Sequence, residues 1–403
     1  MKKIIRFLAV VSVLFFAGTS FFAQDNKPAK KQRIQVGAER IEKYQKLLKN
    51  KKVALAANAT SVIVHSDGTM IHDLDFLLQN RIEVTKIFAP EHGFRGNNEG
   101  GKIISNDVDQ KTGVPILSLY GKYVKPSKEA LEGIDVMIYD IQDVGARFYT
   151  YISTMHYIME ACAENNIPLV IFDRPNPNID CVAGPIRDEK FKSFVSLDPI
   201  PVAYGMTAGE LAKMINGQGW LKNGVKCNLT VIPVKNYTRK TRYVLPVPPS
   251  PNLPSERAVR FYPFLCLFEA AIVSEGRGTL QPFTALGYPD KSFGDYVFTP
   301  HDIPGMATNP KFNGKECYGL DLSEEPLYAE ESIFTLKHFM YFAKKIGSAK
   351  EMVNQPLGLA QLWGNDKLIE QIDSGMTEEE IRSTWQEDTA QFIKDRKPYL
   401  IYN

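Results

Sequence analysis

Asp135-Val136-Met137-Ile138-Tyr139-Asp140-Ile141-Gln142-Asp143-Val144-Gly145-Ala146-Arg147 decides the fold class, because an apolar run passes without a break into a loop of carboxylates, glycine and arginine. A run that short, polar only past its end, suits a central strand of a parallel sheet covered on both faces. The same pattern repeats on either side. A strand over 52–58 leads into Asn58-Ala59-Thr60-Ser61, and one over 83–88 into Ala89-Pro90-Glu91-His92-Gly93-Phe94-Arg95-Gly96. A strand over 115–119 leads into Tyr120-Gly121, and the most hydrophobic one, over 168–172, into Asp173-Arg174-Pro175-Asn176-Pro177. Amphipathic stretches over 72–80, 151–165 and 207–216 predict helices between strands, and 228–234 adds a further strand. Strands alternating with helices predict an α/β, Rossmann-like, mainly parallel sheet. Ligands of such sheets sit at the carboxyl ends of the strands, so the five polar loops are expected to converge on one site.

The pattern breaks at Val247-Pro248-Pro249-Ser250-Pro251-Asn252-Leu253-Pro254, where the prolines exclude helix and central strand. A domain boundary is placed there, giving a Rossmann-like domain over 52–254 and a smaller α+β domain over 255–403, with helices at 332–346 and 378–396. At the other end, Met1-Lys2-Lys3-Ile4-Ile5-Arg6, the apolar run 7–17 and Phe22-Ala23 have the layout of a secretory signal peptide over 1–23. The apolar run is shorter than the roughly 20 residues that span a bilayer, so no stable membrane insertion is expected after cleavage. A polar leader over 24–51 follows, and the expected location is the periplasm or the exterior.

The chain has 403 residues and a formal net charge of only +2. Its basic side chains form no stripe interleaved with aromatics, so a nucleic-acid partner has no electrostatic support. The five cysteines, Cys162, Cys181, Cys227, Cys266 and Cys317, are scattered, and their odd number leaves at least one unpaired; most are expected to be buried. No G-x-G-x-x-G follows the first strand, and there is no P-loop, H-E-x-x-H or G-x-S-x-G elbow, so no motif points to a nucleotide cofactor or a metal.

Chemistry-bearing residues cluster in four loops. Glu91 and His92 lie between a strand end and glycines; a carboxylate held there serves either as general acid or base, or merely satisfies the loop. Asp140, Asp143, Arg147, Tyr149 and Tyr151 either pair among themselves or bind sugar hydroxyls and a substrate carboxylate. Asp173, Arg174 and Asn176 lie in a proline-stiffened loop, and Glu275 and Arg277 in Ser274-Glu275-Gly276-Arg277-Gly278-Thr279. Such a carboxylate-rich site fits a glycosidase or a carbohydrate-binding protein, and spacing does not choose between them.

Taken together, these four motifs, with Ser118-Leu119-Tyr120-Gly121, Gly184-Pro185-Ile186, Tyr204-Gly205-Met206-Thr207 and Pro248-Pro249-Ser250-Pro251-Asn252, resemble one family. It was long catalogued as a domain of unknown function and includes the exo-β-N-acetylmuramidases of the NamZ type. The resemblance runs from about Lys52 to the C-terminus. It implies a Rossmann-like domain without a dinucleotide, a smaller C-terminal domain, and an active site between them. It also implies release of N-acetylmuramic acid from the non-reducing ends of peptidoglycan fragments, in cell-wall turnover, with Glu91 as the leading catalytic residue. On this reading Glu91 is the general acid, and His92 and Asp143 orient it or the water. Asn58, Arg95, Asp140, Arg147, Tyr149, Asp173, Arg174, Asn176, Glu275 and Arg277 are assigned to the substrate. A muramic acid carries a lactyl carboxylate, which Arg95, Arg147, Arg174 or Arg277 could clamp through paired hydrogen bonds.

Overall fold

Six parallel strands form the centre of the molecule: β1 (Lys52–Ala57), β2 (Glu83–Ala89), β3 (Pro115–Ser118), β4 (Val136–Asp140), β5 (Leu169–Phe172) and β6 (Leu229–Ile232). The computed structural model describes residues 32–91, 93–95, 107–121, 123–328 and 333–403. Across the sheet the strands run β6-β5-β4-β1-β2-β3, with the two-residue strand Asp107–Val108 added antiparallel at the outer edge of β3. The chain therefore starts in the middle and builds outward in both directions. Its connections diverge between β1 and β4, and that divergence leaves a crevice at the carboxyl ends.

Side-chain alternation explains why the central strands β1, β4 and β5 are apolar almost throughout. Ala54 and Ala56 of β1, Met137 and Tyr139 of β4, and Leu169 and Ile171 of β5 enter one core. Their neighbours Val53, Leu55, Ala57, Val136, Ile138, Val170 and Phe172 enter the other. With period 2 and helices on both faces, each position of β4 and β5 and every position of β1 after Lys52 is buried, and a fully buried Leu or Ile contributes roughly 1.5–3 kcal/mol. One face is covered by α1 (Ile41–Leu48) and α2 (Asp73–Gln79), and the other by α3 (Tyr151–Glu164) and α4 (Ala208–Gln218). The start of α4 is held by a capping box between Thr207 and Glu210.

Helix α1 lies inside the stretch expected to be a polar leader. Its Tyr44 is fully buried, packs on Phe172 at a ring-centroid distance of 4.3 Å and donates to the carbonyl of Ala38, so folded structure reaches back past residue 52. Residues 34–403 form one unit. The signal-peptide reading, over 1–23, lies outside the described residues. All five cysteines are free and buried. Among the described residues no helix is long and apolar enough to cross a membrane.

Beyond the proline-rich segment the chain forms α5 (Glu256–Leu265), a three-stranded antiparallel sheet of β7 (Ala285–Tyr288), β8 (Tyr296–Phe298) and β9 (Cys317–Asp321), and then α6 (Lys337–Ile346) and α7 (Glu378–Arg396). Helix α6 starts later than the expected 332–346, whereas α7 matches 378–396. Phe339, Phe342, Trp363 and Ile381 join the same core as α3 and α4, so this smaller region is packed onto the main sheet layer.

Candidate active site

The carboxyl ends of β2, β3 and β4 open on a cavity of about 370 Å³. Glu91, Tyr120, Phe148, Tyr149 and Tyr151 line one wall, and Asn252, Leu253, Tyr262, Glu269, Arg277 and Phe283 the other. A second cavity of about 310 Å³ shares Asn252, Glu269 and Arg277 and adds Glu275, Asn309 and Lys311. A third, of about 700 Å³, lies near Met340, Lys344 and Asp373 and borders none of the predicted site residues.

Glu91 enters the cavity through the turn that ends β2, where the amide of Gly93, in the left-handed region at φ 76°, donates to the carbonyl of Pro90. The Tyr120 hydroxyl bonds the Glu91 side chain. Burial first, and then the Glu91 carboxylate, push this phenol up to about 12, so at neutral pH it is a donor. Tyr151 sits beneath. Its hydroxyl lies 3.4 Å from the carbonyls of both Glu91 and Pro249, and it is bonded by the Asn58 side chain. Tyr149 donates to the same Pro249 carbonyl at 2.7 Å and meets Tyr151 edge-on at 4.7 Å. Burial raises both phenols, which stay protonated and tie the end of β4 to the proline-rich segment. Asn58 itself is oriented by Thr60, whose amide and hydroxyl donate to its side-chain oxygen at 2.9 and 2.6 Å.

On the facing wall, Arg277 pairs with Glu269, lies 3.4 Å from a Glu275 oxygen, and covers the Phe283 ring at 5.3 Å. The two carboxylates outweigh burial and hold its charge firmly. Gly276, at φ 77°, makes the turn that presents Arg277; a side chain there would collide with the carbonyl of Gln281. Glu275 is buried and neutralised by Lys311 at 2.9 Å, and Lys311 also donates to the carbonyls of Phe268 and Val273.

The structure thus brings Glu91, Tyr149 and Arg277 together in one cavity, with Asn58 behind it and Glu275 in the adjoining one. Other predicted residues are placed elsewhere, for physical reasons. Arg95 is held by Asp109 through two bonds of 2.7 and 2.9 Å and packs on Phe94. Arg147 is fully buried and donates to the carbonyls of Pro185, Ile200 and Leu362, which makes it a brace between the sheet and the C-terminal helices rather than a substrate clamp. Arg174 spans Asp140 and Asp73 in a buried triad and reaches the carbonyl of Val62. Asp173 accepts from Tyr402, Thr207 and the amide of Gly209, and burial raises it to about 7. Asn176 donates to the carbonyl of Met206 and accepts from the amide of Asn178. Asp143 accepts from Tyr204 and the amide of Gly145; burial raises it to about 6, and it borders neither cavity. Of the five loops, those after β2 and β3 line the cavity through Glu91 and Tyr120, the one after β4 does so only in its continuation over 148–151, Asn58 of the first lies behind it, and the loop after β5 turns inward. His92 lies outside the described residues.

Site residues that sequence reasoning had not singled out are Tyr120, Asn252, Tyr262, Glu269 and Lys311. Tyr120 and Asn252 belong to short motifs already noted. Glu269, in a turn after α5, and Tyr262, on α5, have no local signature and reach the site only through the packing of the C-terminal region.

Comparison with known proteins covers the whole folded body. The family described as "Exo-beta-N-acetylmuramidase NamZ, N-terminal" matches residues 53–257, and its C-terminal counterpart matches 260–402. A peptidoglycan β-N-acetylmuramidase NamZ of Bacillus subtilis (strain 168) is 36% identical over 394 residues, which is 94% of this chain and 93% of that protein. Two crystal structures of DUF1343 family proteins from Bacteroides fragilis NCTC 9343 superpose on it. One is 43% identical with a TM-score of 0.83, the other 29% identical with a TM-score of 0.80, and each match covers 92% of this chain and 99% of the other.

Proposed function

The chain belongs to the exo-β-N-acetylmuramidase NamZ family and is a glycoside hydrolase, and from that premise we propose that Glu91 is its catalytic acid. The enzyme releases N-acetylmuramic acid from the non-reducing ends of peptidoglycan fragments. In the reaction Glu91 gives a proton to the glycosidic oxygen as the bond to the anomeric carbon breaks, and water supplies hydroxide to that carbon and a proton back to the enzyme. One observation supports this role: Glu91 is the carboxylate that the carboxyl edge of the sheet puts into the cavity, held by a Tyr120 hydroxyl that stays a donor. Tyr151 and Asn58 position its backbone.

Of the four arginines considered for the lactyl carboxylate, Arg277 is the one that borders the cavity, so we assign the clamp to it. The two family matches, meeting between 257 and 260, support dividing the chain near Ser255. The basic start, the apolar run and Ala23 support export to the periplasm or beyond, and N-terminal sequencing of the protein recovered outside the cytoplasm would reveal cleavage after Ala23.

The direct experiment incubates the chain from Gln24 onward with a muramic-acid-terminated disaccharide and with its N-acetylglucosamine-terminated counterpart. Mass spectrometry is expected to show free N-acetylmuramic acid from the first and far less release of N-acetylglucosamine from the second. Intact substrate in both reactions would overturn the reading in favour of carbohydrate binding, and release of N-acetylglucosamine alone would replace the substrate.

A further inference from the structure

Asn252 borders both cavities, beside Glu269 and Arg277, and is only 3% exposed. Its two side-chain atoms differ sharply. The Nδ2 atom lies 2.8 Å from the carbonyl of Met306, and because a carbonyl only accepts, that contact fixes the amide's orientation. The remaining atom, Oδ1, is buried and has no hydrogen-bond partner. A buried acceptor without a donor is a standing cost to the fold, and native proteins keep few of them. The segment that carries it is rigid. Its prolines restrict the backbone, the Ser250 hydroxyl accepts from the Asn252 amide, and Tyr149 and Tyr151 both engage the Pro249 carbonyl. A lone acceptor is thus held on a residue that lines both cavities, in company with Arg277 and its partner Glu269.

The proposed substrate carries a matching pair of groups. In N-acetylmuramic acid the acetamido N–H on C2, a donor that cannot accept, is adjacent to the lactyl ether on C3, whose carboxylate needs a cation. Resting on the assignment of muramic acid as substrate, we propose that Asn252 Oδ1 accepts the acetamido N–H of the terminal sugar while Arg277 takes the lactyl carboxylate. Asn252 is then a specificity residue for the acetylated amine. Leu253, Tyr262 and Phe283, which line the same cavity, supply an apolar setting for the acetyl methyl group.

The test pairs variants with altered substrates. Wild type, Asn252→Ala and Asn252→Asp are assayed on N-acetylmuramyl-N-acetylglucosamine, on an analogue whose terminal acetamido N–H is replaced by an ester oxygen, on the disaccharide with the terminal amine deacetylated, and on the terminal 4-deoxy analogue. Asn252→Ala is expected to lower kcat/KM about tenfold or more on the parent disaccharide and to cost little further on the ester analogue, which has no N–H to give, because the lost bond is the same. Asn252→Asp is expected to move preference toward the deacetylated sugar, whose ammonium group a carboxylate attracts; a folding defect cannot produce that gain. Equal losses from Asn252→Ala on all four substrates would overturn the proposal. So would a loss that disappears only on the 4-deoxy analogue, which would move the contact to the C4 hydroxyl. If wild type releases no N-acetylmuramic acid from the parent disaccharide, the functional reading fails first; if it does and the penalties multiply independently, the Asn252 assignment alone fails.

Discussion

Two loops of the sheet, the one after β2 and the one after β5, present the same vocabulary of carboxylate, arginine and proline at equivalent strand ends. They do opposite things. Glu91 stands in a cavity with a tyrosine hydroxyl on its side chain, whereas Asp173, Arg174 and Asn176 spend their hydrogen bonds inside the chain, on Tyr402, Thr207, Asp140, Asp73 and Met206. What covers the two loops explains why. Both strands lie one step out from the β4–β1 pair where the connections part, but Tyr402 and the amides beside it close over the loop after β5, while the loop after β2 is left facing the cavity. A charged loop is a site when its paired groups still border open space, and a brace when the fold closes over them.

Substitutions on either side can break that comparison. The largest effect is expected from Glu91→Gln, which should lower kcat by about 10²–10⁴-fold and leave unfolding unchanged. Near-normal turnover on a chromogenic muramic acid glycoside would refute the catalytic role. Arg174→Met should do the reverse: it leaves Asp140 and Asp73 buried without their cation and costs about 3–5 kcal/mol of stability in urea unfolding. A variant as stable as wild type but unable to bind substrate would turn the brace back into a site.

Asp173→Asn sharpens the same contrast through pH. The carboxyl titrates near 3.8 when unfolded and near 7 when folded, so the folded state holds the extra proton between these values. Its stabilising contribution is complete below about pH 3.8 and is lost as pH rises toward 7. In denaturation curves across this range wild type should lose on the order of 2–4 kcal/mol that Asp173→Asn does not; parallel curves would count against the buried proton. Arg277→Met, with Lys311 left to neutralise Glu275, should raise KM about tenfold to a hundredfold on muramic acid glycosides and spare weaker N-acetylglucosamine glycosides. Equal losses on both would remove the clamp. The smallest effect belongs to Tyr120→Phe, a drop of about two- to tenfold in kcat from the loss of one hydrogen bond to Glu91, read against unchanged thermal unfolding.

Most of the sheet was legible because β1, β4 and β5 are short, nearly unbroken apolar runs, a pattern that burial on both faces requires, and β2 ends in one at Ile87-Phe88-Ala89. The small sheet of β7 to β9 was not, since its strands are brief, interrupted by Gly287 and Gly319, and flanked by turns. Nor was α5, which contains Pro263 and follows a proline-rich segment that argues against any helix. In the site, Glu91 was legible from its strand, turn and glycine context. The arginines were not separable: Arg147 satisfied by three carbonyls and Arg277 facing a cavity look alike until distant segments come together. Glu269 and Asn252 matter only through such long-range placement.

Tyr402 gives its hydroxyl to Asp173, and the amides of Ile401 and Tyr402 donate to Glu210, the residue that also caps α4. The last residues of one half therefore complete the polar interior of the other. Although the two halves match separate family descriptions, they are not interchangeable parts. A chimera that joined this N-terminal half to a relative's C-terminal half would have to bring an equivalent tyrosine to the same place, or leave Asp173 and Glu210 short of donors. Recombination among relatives would then be tolerated at the cleft-facing loops and resisted at the tail, far from any chemistry.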